Sequence, residues 1–553
     1  MNPDQEDRKP RHGMRRFLGD IPIWVWVVAM GVALLHMTPY WRAASSTPDT
    51  WHFTANLSVS PDYMQYRVWS RQTVEEGPIV TNRFTAEPNR RHLPVMPYWI
   101  VGQTARLTGL TPEWAYAWIG AFLAAVFTVL LYALTRWFMP TGRATTWVFA
   151  FLMLSGGLGG YMMWLGDWSF VRGSYALNAL FVAPFQGAGR AALFENYRGN
   201  YIIQSIFDTH FMMFWLLSTV AVIALWATLR RFSLARLALV SVIFAFGTFL
   251  HVYEGLTLLV IALGACIAVW RKGVPLKTVL TVFLTCGMSV AVVLLPLAVI
   301  YKSSGLPAPE WRGLVVEFPI VVLAYPVAWL ILVPGITRYW RETNVDGAFL
   351  VGWGLALLLL TLSGPFFPYP DRGTMTLQIP LLLVAGGIWF ARHESVGWKA
   401  ALIAILLAGS TTAFTLDGWV GRTAFHDDQP HKYLSPAHQS VIEALRENAR
   451  PGELLVASQL PLRWLAPEYP GRHYAGHFFL TVGFAAKQDT LAAFWAGTPE
   501  EQSRFLSSRR ARWLFVEPAQ DPARFEAIPG LVPIVRESIG TLFEVRPAGT
   551  AGS

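Results

Sequence analysis

Residues 51–98 read WHFTANLSVSPDYMQYRVWSRQTVEEGPIVTNRFTAEPNRRHLPVMPY and follow the first apolar segment of the chain. This stretch is polar and rich in arginine, and it is far longer than most connections between elements, which span only a few residues. Disordered segments are poor in aromatic residues, whereas this stretch contains several. They are Trp51, Tyr63, Tyr66, Trp69 and Phe84. We therefore expect residues 51–98 to be ordered and to carry functional groups.

The composition indicates a membrane protein. Of the 553 residues, 54% are hydrophobic and only 14% are charged, whereas soluble chains carry about 25% charged residues. Apolar runs such as 21–37 and 279–300 are long enough to cross a hydrocarbon core, which takes about 20 residues. The 25 Trp and 18 Tyr residues fit many membrane–water boundaries. We expect an integral protein of the plasma (inner) membrane, with residues 51–98 folded onto the membrane surface.

The net charge of +9 is compatible with a nucleic-acid partner, but the basic residues are dispersed over turns. In a membrane protein, an excess of basic residues in cytoplasmic turns is the ordinary source of such charge, so we predict no nucleic-acid partner. Both cysteines, Cys266 and Cys286, fall within predicted spans. A disulfide framework or a cysteine-based zinc site in the outer part of the chain is therefore excluded.

The hydrophobic pattern predicts about eleven spans between residues 21 and 416, including 114–138, 209–229 and 348–362. Residues 1–20 form a cytoplasmic segment, and residues 39–113 form a large first outer loop whose last part is an interfacial helix. An odd number of spans places the C-terminal region outside the membrane. The basic residues of the inner turns agree with this orientation. They are Arg143, Arg230, Arg231, Arg236, Arg271, Lys272, Lys277, Arg338, Arg341, Arg392 and Lys399.

Residues 417–553 differ in pattern from the spans. A Ser-Pro start at 435–436 precedes a helical repeat, and the segments 453–458, 512–518, 531–537 and 541–545 have the composition of short strands. The sequence therefore predicts an all-α polytopic membrane bundle with a small extracytoplasmic α/β domain at its C-terminus, of a size typical for one domain.

Ionisable residues recur near the span boundaries of the outer side. They are Asp62, Glu195, Asp208, His210, His251, Glu254, Asp371 and Arg372. Such groups are costly at membrane depth and usually face a bundle interior or a wet cavity. The inner turns, by contrast, are almost purely basic. Together these residues favour a polar cavity that opens on the outer face, although any one of them has a simpler interpretation as an interfacial group in water.

Three stretches carry a family resemblance: residues 60–66 (SPDYMQY), residues 82–110 and residues 471–497 (GRHYAGHFFLTVGFAAKQDTLAAFWAG). With the order of first span, large outer loop with an early acid, interfacial helix, many spans and outer α/β tail, the chain resembles the GT-C glycosyltransferases. These include the aminoarabinose transferases of lipid A and the protein O-mannosyltransferases. The loop has a single Asp near its start where some members have an acidic pair. The resemblance therefore leaves open whether a divalent metal takes part, and we assign no metal ligand.

The resemblance implies transfer of a sugar from a polyprenyl-phosphate carrier to an acceptor on the outer side, with inversion. The acceptor, whether lipid, glycan or protein, is not indicated. Attack at the anomeric carbon requires a base for the acceptor hydroxyl, and Asp62 is the candidate. Guanidinium groups on the departing lipid phosphate lower the barrier, and Arg198 and Arg372 are the candidates, with Arg83 behind them.

Four further residues are candidates for substrate binding: Asp208, His251, Glu254 and Asp371. Several of the site assignments have a plainer alternative. His251 and Glu254 fit a capped helix turn as well as a sugar or phosphate site. Arg83 also fits binding to anionic membrane lipids, and Asp62 also fits a helix N-cap, because Ser-Pro-Asp is a helix-start signal.

Two other functions are compatible with the sequence. One is a transporter or flippase of a lipid-linked saccharide, although the paired halves common in transporters are not evident. The other is a non-catalytic assembly protein whose tail binds partners. His473 and His477 have the i, i+4 spacing of a zinc-binding helix, but the flanking Gly471 and Gly476 favour a loop.

Overall fold

The computed structural model describes residues 21–57, 61–139, 141–154, 201–303, 325–363, 371–390 and 425–546, with the isolated positions 405, 409, 412, 416 and 423. Glu195, Arg198 and nearly all of the predicted eleventh span lie outside the described residues. The helices preceding the tail are α1 Ile23–Ser46, α2 Pro61–Glu76, α3 Met96–Thr108, α4 Pro112–Phe138, α5 Gly142–Leu154, α6 Tyr201–Ile206, α7 Thr209–Arg230, α8 Leu234–Leu250, α9 Val252–Trp270, α10 Leu276–Ser303, α11 Pro326–Glu342, α12 Val345–Leu362 and α13 Asp371–Phe390.

Six of these helices within the described ranges, α1, α4, α7, α9, α10 and α12, are long and apolar enough to cross a membrane. Three shorter apolar helices or helix segments accompany them, α5, α8 and the part Thr376–Phe390 of α13. The bounds of α4, α7 and α12 agree with the predicted spans to within three residues. The helices pack closely where glycines meet, since a Cβ added to Gly264 of α9 would lie 2.5 Å from the carbonyl oxygen of Gly352 in α12.

The first helix is longer than its predicted span. The sequence predicts an end near Met37, where polar residues begin, but α1 continues through Pro39 to Ser46. Proline removes one helical hydrogen bond, and packing compensates for the loss, because Tyr40 and Ala43 are buried in a cluster with residues of α4. The beginning of the predicted outer loop is therefore helical.

In its described residues, the loop between α1 and α4 contains three short strands besides α2 and α3. Strands β2 (Ile79–Val80) and β3 (Leu93–Pro94) pair antiparallel. Strand β1 (His52–Phe53) pairs antiparallel with β4 (Tyr433–Leu434) at the start of the tail. The predicted helix before α4 is confirmed as α3, which ends at Gly109 in the left-handed conformation, with φ of 72°.

The tail is an α/β unit, as predicted. A five-stranded sheet has the order β6-β5-β7-β9-β8, in which β5 (Leu454–Val456) pairs parallel with β6 (Arg472–His473) and β7 (Ala511–Val516), whereas β9 (Gly540–Val545) pairs antiparallel with β7 and β8 (Leu531–Glu537). The helices of the tail are α14 Pro436–Asn448, α15 Gln459–Leu465, α16 Phe484–Ala496, α17 Pro499–Ser508 and α18 Pro522–Glu526.

Helix α14 begins with a capping box. The Ser435 side chain accepts from the backbone N–H of His438, and the His438 ring accepts in return from the Ser435 backbone. Burial lowers the pKa of His438 from 6.5 to about 4. The ring is therefore neutral at physiological pH, as its role as a hydrogen-bond acceptor in the cap requires.

The first outer loop and the tail share one hydrophobic core. Alternate residues of the sheet point to opposite faces, and one face, which includes Leu455 and Trp513, packs with Met64 and Val68 of α2 and with Phe84. A detached loop would expose these apolar side chains. The contacts therefore fix α2 to the tail, which bears directly on the position of Asp62.

Candidate functional site

Asp62 lies in the first turn of α2. The positive end of a helix dipole favours an ionised carboxylate there. Its side chain is 45% exposed, and Oδ1 lies 3.5 Å from Nε2 of His477 in the tail. The structure thus places the predicted base at an accessible surface between the first outer loop and the tail.

His477 is held rigidly in a turn that follows β6. Its side chain is fully buried and packs against the rings of Phe84 and Phe478, at centroid distances of 5.7 and 4.6 Å. The backbone N–H of Phe479 donates to Nδ1 over 3.2 Å. The loop predicted from Gly471 and Gly476 is confirmed, because residues 474–480 are not helical.

The stretch 471–497, which carries part of the family resemblance, binds the first outer loop through hydrogen bonds and an ion pair. Thr481 Oγ1 donates to the carbonyl oxygen of Phe84 over 2.6 Å, and the backbone N–H of Gly476 donates to the same oxygen over 3.0 Å. Lys487 Nζ forms an ion pair with Glu87 at 2.7 Å. A Cβ on Gly476 would lie 3.0 Å from the Phe84 Cα atom, so this close approach depends on glycine.

Asp208 caps α7. Its Oδ1 accepts from the backbone N–H groups of His210 and Phe211, at 2.9 and 3.3 Å. The hydroxyl of Tyr116 on α4 donates to the same oxygen at 3.5 Å. This residue therefore has a structural role at the start of a membrane helix, and its carboxylate also faces the neighbouring tyrosines.

Rings from four helices and from the α8–α9 junction form a compact group, here named the tyrosine–histidine cluster. Its members are Tyr63, Tyr66, Tyr98, Tyr116, His210 and His251. The Tyr98 hydroxyl lies 2.7 Å from His210 Nδ1, and the Tyr66 ring stacks on His210 at 4.6 Å. The sequence marked Tyr63 and Tyr66 as signs of order, and His210 and His251 as ionisable residues near an outer cavity, but it did not single out Tyr98 or Tyr116. Their convergence depends on how α2, α3, α4 and α7 pack.

The charges of Asp62 and Asp208 both reach this cluster. Burial raises the pKa of Tyr98 well above its ordinary value, and the neighbouring Tyr66 and Tyr116 together with the charges of Asp208 and Asp62 raise it further. Tyr98 therefore stays a neutral hydroxyl. Two acids, one from the first outer loop and one from the start of α7, therefore act electrostatically on the same buried hydroxyl.

His251, a member of the cluster, lies at the junction of α8 and α9, and Glu254 follows in the first turn of α9. The carbonyl oxygen of His251 accepts from the backbone N–H of Glu254 over 3.1 Å, so the predicted helix-turn alternative is present. The His251 ring lies 5.6 Å from that of His210. Glu254 is buried and accepts from Ser218 Oγ over 2.9 Å. The structure thus places His251 beside His210, whose backbone Asp208 caps, and Glu254 against Ser218 of α7.

Arg83 has acidic partners within the loop. It pairs with Glu75 at 3.3 Å and with Glu76 at 3.0 Å. Burial opposes ionisation of Glu76, but hydrogen bonds from Thr81, Gln72 and Arg83 outweigh it and hold the pKa of Glu76 below its usual range. Asp371 and Arg372 begin α13, and their side chains lie outside the described residues, as does Arg198.

A buried charge network joins α2, α4 and the tail. Glu113 of α4 accepts from Arg67 at 3.2 Å and from Arg71 at 2.7 Å. Glu468 of the tail lies 2.5 Å from Arg71 and 3.6 Å from Arg67, and it also pairs with Arg446. Both carboxylates are only 3% exposed. The available sequence signal was the i, i+4 spacing of the two arginines on α2.

A small pocket adjoins this network. Its cavity volume is about 20 Å³, enough for one water-sized group. It is lined by Tyr40, Ala55, Asn56, Tyr63, Tyr66, Arg67, Ser70, Pro112, Glu113 and Tyr116. Within the described part of the chain, Arg67 Nη1 and Ser70 Oγ are buried there without a hydrogen-bond partner. In the same part, no three His, Cys, Asp or Glu side chains converge to hold a metal ion.

The fold is similar to solved membrane-protein structures. ArnT from Cupriavidus metallidurans in the apo state matches with a TM-score of 0.50 and 14% identity over 96% of this chain and 99% of that chain. Its complex with undecaprenyl phosphate matches over the same shares of both chains, with a TM-score of 0.49 and 14% identity. The archaeal oligosaccharyltransferase AglB from Archaeoglobus fulgidus, in complex with an inhibitory peptide and a dolichol-phosphate, matches with a TM-score of 0.45 and 12% identity over 92% of this chain and 70% of that chain.

No family model matches the sequence, and no curated protein matches it. The similarity to ArnT extends over nearly the whole of both chains. The chain therefore shares the fold of ArnT from C. metallidurans, and its helical bundle with a C-terminal α/β tail agrees with the fold class that the sequence predicts.

Proposed function

We propose that this protein is an integral-membrane glycosyltransferase that moves a sugar from a polyprenyl-phosphate donor to an acceptor hydroxyl on the outer side of the membrane. The observation that carries the proposal is the position of Asp62. Its carboxylate is accessible, stands at the start of α2, lies 3.5 Å from His477 of the tail, and acts electrostatically with that of Asp208 on Tyr98 of the tyrosine–histidine cluster. In this orientation the N-terminus is cytoplasmic and the tail is extracytoplasmic.

The proposed reaction is a single displacement. Asp62 takes the proton of the acceptor hydroxyl, and the acceptor oxygen forms a bond to the anomeric carbon. The bond from that carbon to the phosphate oxygen breaks, and its electron pair stays on the phosphate, so the polyprenyl phosphate leaves with one more negative charge. Because attack and departure occur on opposite faces, the product has the inverted configuration.

The remaining candidates divide by the group that each would bind. Arg198 and Arg372 are proposed to hold the leaving phosphate, because guanidinium groups pair well with phosphate oxygens. Arg83 is the weaker candidate, since Glu75 and Glu76 already pair with it.

The sugar is assigned to four acidic or imidazole groups. We propose that its hydroxyls meet Asp208, His251, Glu254 and Asp371. Of these, His251 belongs to the tyrosine–histidine cluster, Asp208 accepts from Tyr116 of that cluster, and Glu254 accepts from Ser218 of α7. Membrane lipids surround the spans, and the polyprenyl chain would lie between them.

The carrier is proposed from chemistry and fold. ArnT from C. metallidurans binds undecaprenyl phosphate, and we propose a carrier of the same class for this chain. The chemical identity of the sugar and that of the acceptor are left to a substrate panel. A divalent metal is likewise left to direct measurement, by assaying transfer with and without a chelator.

The direct test uses the purified protein in lipid nanodiscs with undecaprenyl-phosphate-linked sugars and a panel of lipid, glycan and peptide acceptors. General-base catalysis contributes about 10²–10⁴-fold, so Asp62→Asn should reduce release of undecaprenyl phosphate by at least about 100-fold. Asp49→Asn is the matched control, since Asp49 is an exposed acid of the same outer region, and it should retain full activity. Full transfer by Asp62→Asn would contradict the assignment, and transport without a covalent product would favour a flippase.

A further inference from the structure

The orientation of the His477 ring is fixed by its surroundings. The turn that carries it is closed at both ends, because the backbone N–H of His477 donates to Thr481 Oγ1 over 3.0 Å and the Thr481 N–H donates to the His477 carbonyl oxygen over 2.8 Å. Thr481 in turn donates to the Phe84 carbonyl oxygen. The ring is fully buried between Phe84 and Phe478. It can therefore neither rotate nor reach solvent without displacing these neighbours.

The hydrogen bond to Nδ1 determines the tautomer. The backbone N–H of Phe479 can only donate, so Nδ1 of His477 must present its lone pair. A neutral imidazole then carries its proton on Nε2. Among the described residues, Nε2 has no hydrogen-bond partner at normal distance, and Asp62 Oδ1 lies 3.5 Å away.

The gap between the two atoms is slightly longer than a normal hydrogen bond, whose donor–acceptor distance is about 2.7–3.2 Å. The Asp62 side chain is 45% exposed, which leaves room for its carboxylate to turn, whereas the His477 ring is fully buried. A small rotation of the carboxylate therefore closes the gap. A buried N–H without an acceptor is costly, so closure is favoured.

From this geometry we propose that His477 is a positioning residue that donates its Nε2–H to one oxygen of Asp62 and holds the other oxygen toward the acceptor hydroxyl. This inference rests on the proposed function of Asp62. It assigns to the tail a direct part in the reaction, because the residue that aims the base belongs to the tail and the base belongs to the first outer loop.

A neutral histidine suits this task better than a cation. A fixed positive charge would stabilise the carboxylate ion and weaken it as a base, whereas a neutral donor orients it at smaller cost to its basicity. Among the titratable groups of other elements in the described part of the chain, His477 of the tail lies 3.5 Å from Asp62, and Tyr98 of α3 is influenced by the Asp62 charge. Both are uncharged in the arrangement described, so neither opposes proton uptake by Asp62 through a positive charge.

The alternative is that His477 merely fills the core between Phe84 and Phe478. Two variants separate these roles, because each reproduces one ring nitrogen. His477→Gln can place an amide N–H near the position of Nε2, and His477→Asn can place an oxygen near the position of Nδ1 but cannot reach Asp62. Both variants remove the ring and are polar, so a purely structural role predicts similar losses for the two.

The measured quantity is the release of undecaprenyl phosphate from an undecaprenyl-phosphate-linked sugar by the full-length protein in nanodiscs. We expect His477→Gln to keep kcat within about threefold and His477→Asn to lose about tenfold or more, with the KM for the donor unchanged. The acid limb of the pH profile should also move to higher pH in His477→Asn, because the carboxylate loses a donor that favours its ionised form. Equal activity of the two variants, or higher activity of His477→Asn, would overturn the inference.

A second measurement does not depend on variants at this position. In ¹⁵N-histidine-labelled protein, NMR should show one histidine ring that is protonated at Nε2. The chemical shifts of this ring should change in the Asp62→Asn variant. A proton on Nδ1 of that ring, or no change in any histidine, would overturn the inference, even where the His477 variants do not fold. If instead Asp62→Asn keeps full transfer activity, the proposed function fails and not this step alone.

Discussion

The buried charge network offers the sharpest test of how the tail is fixed to the first outer loop. Glu468→Gln removes one of two carboxylates that face three arginines, so the described network changes from a net charge of +1 to +2. Removing one partner of a buried pair costs about 3–5 kcal/mol. Arg71 is 27% exposed and Arg446 is 55% exposed, so solvent screens part of this cost. We expect about 2–4 kcal/mol.

The loss should appear locally, because the network joins α2 to the tail. Hydrogen–deuterium exchange measures such local opening. A decrease of about 1.4 kcal/mol in the free energy of opening corresponds to a tenfold increase in the exchange rate. Amides of α2 that exchange through opening should therefore exchange about 30- to 1000-fold faster in Glu468→Gln. The control is Glu526→Gln, which removes an exposed partner of Arg536 in the same tail and should leave α2 unchanged. If Glu468→Gln also left α2 exchange unchanged, the network would not hold the two parts together.

Three further predictions test the tail. Gly476→Ala should lower activity and reduce stability by about 1–3 kcal/mol, because its Cβ would press on Phe84; normal activity and melting temperature would contradict this. Because the pKa of His438 is lowered to about 4 in the folded protein, the unfolded chain binds a proton at this residue first as the pH falls. The free energy of unfolding should therefore be highest above pH 6.5 and fall by about 1 kcal/mol per pH unit toward pH 4. His438→Gln keeps the capping box and should flatten that dependence in thermal unfolding; an unchanged slope would refute it. A membrane-impermeant maleimide should label Ser508→Cys, but not Lys277→Cys, in intact cells; the reverse would invert the topology.

The membrane helices were predictable because their signals are local. The start of α4 combines a Thr111 cap, Pro112 in the first turn and an acid at Glu113, and an uninterrupted apolar run follows. The end of α1 was not predictable in this way. Its last turns are stabilised by contacts with α4 rather than by their own composition, and the sequence shows only a proline and polar residues there.

The site was predictable in part. Asp62 and Asp208 stood out as acids near span boundaries, but the shared cluster could not be inferred, because Tyr98 and His210 are 112 positions apart. The same holds for the contact between the tail and the loop, where Thr481 and Phe84 are separated by 397 positions. Only the packing of the outer loop on the tail brings His477 to Asp62, so its role could not be inferred from sequence spacing.

The central claim is that the donor reacts beside Asp62 at the outer ends of the helices. An experimental density map of the protein with undecaprenyl phosphate tests this most directly. We expect phosphate density next to Asp62 and the tyrosine–histidine cluster, with a guanidinium group in contact with the phosphate oxygens. Phosphate density at the opposite ends of the helices, or farther from Asp62 than a sugar ring can span, would contradict it.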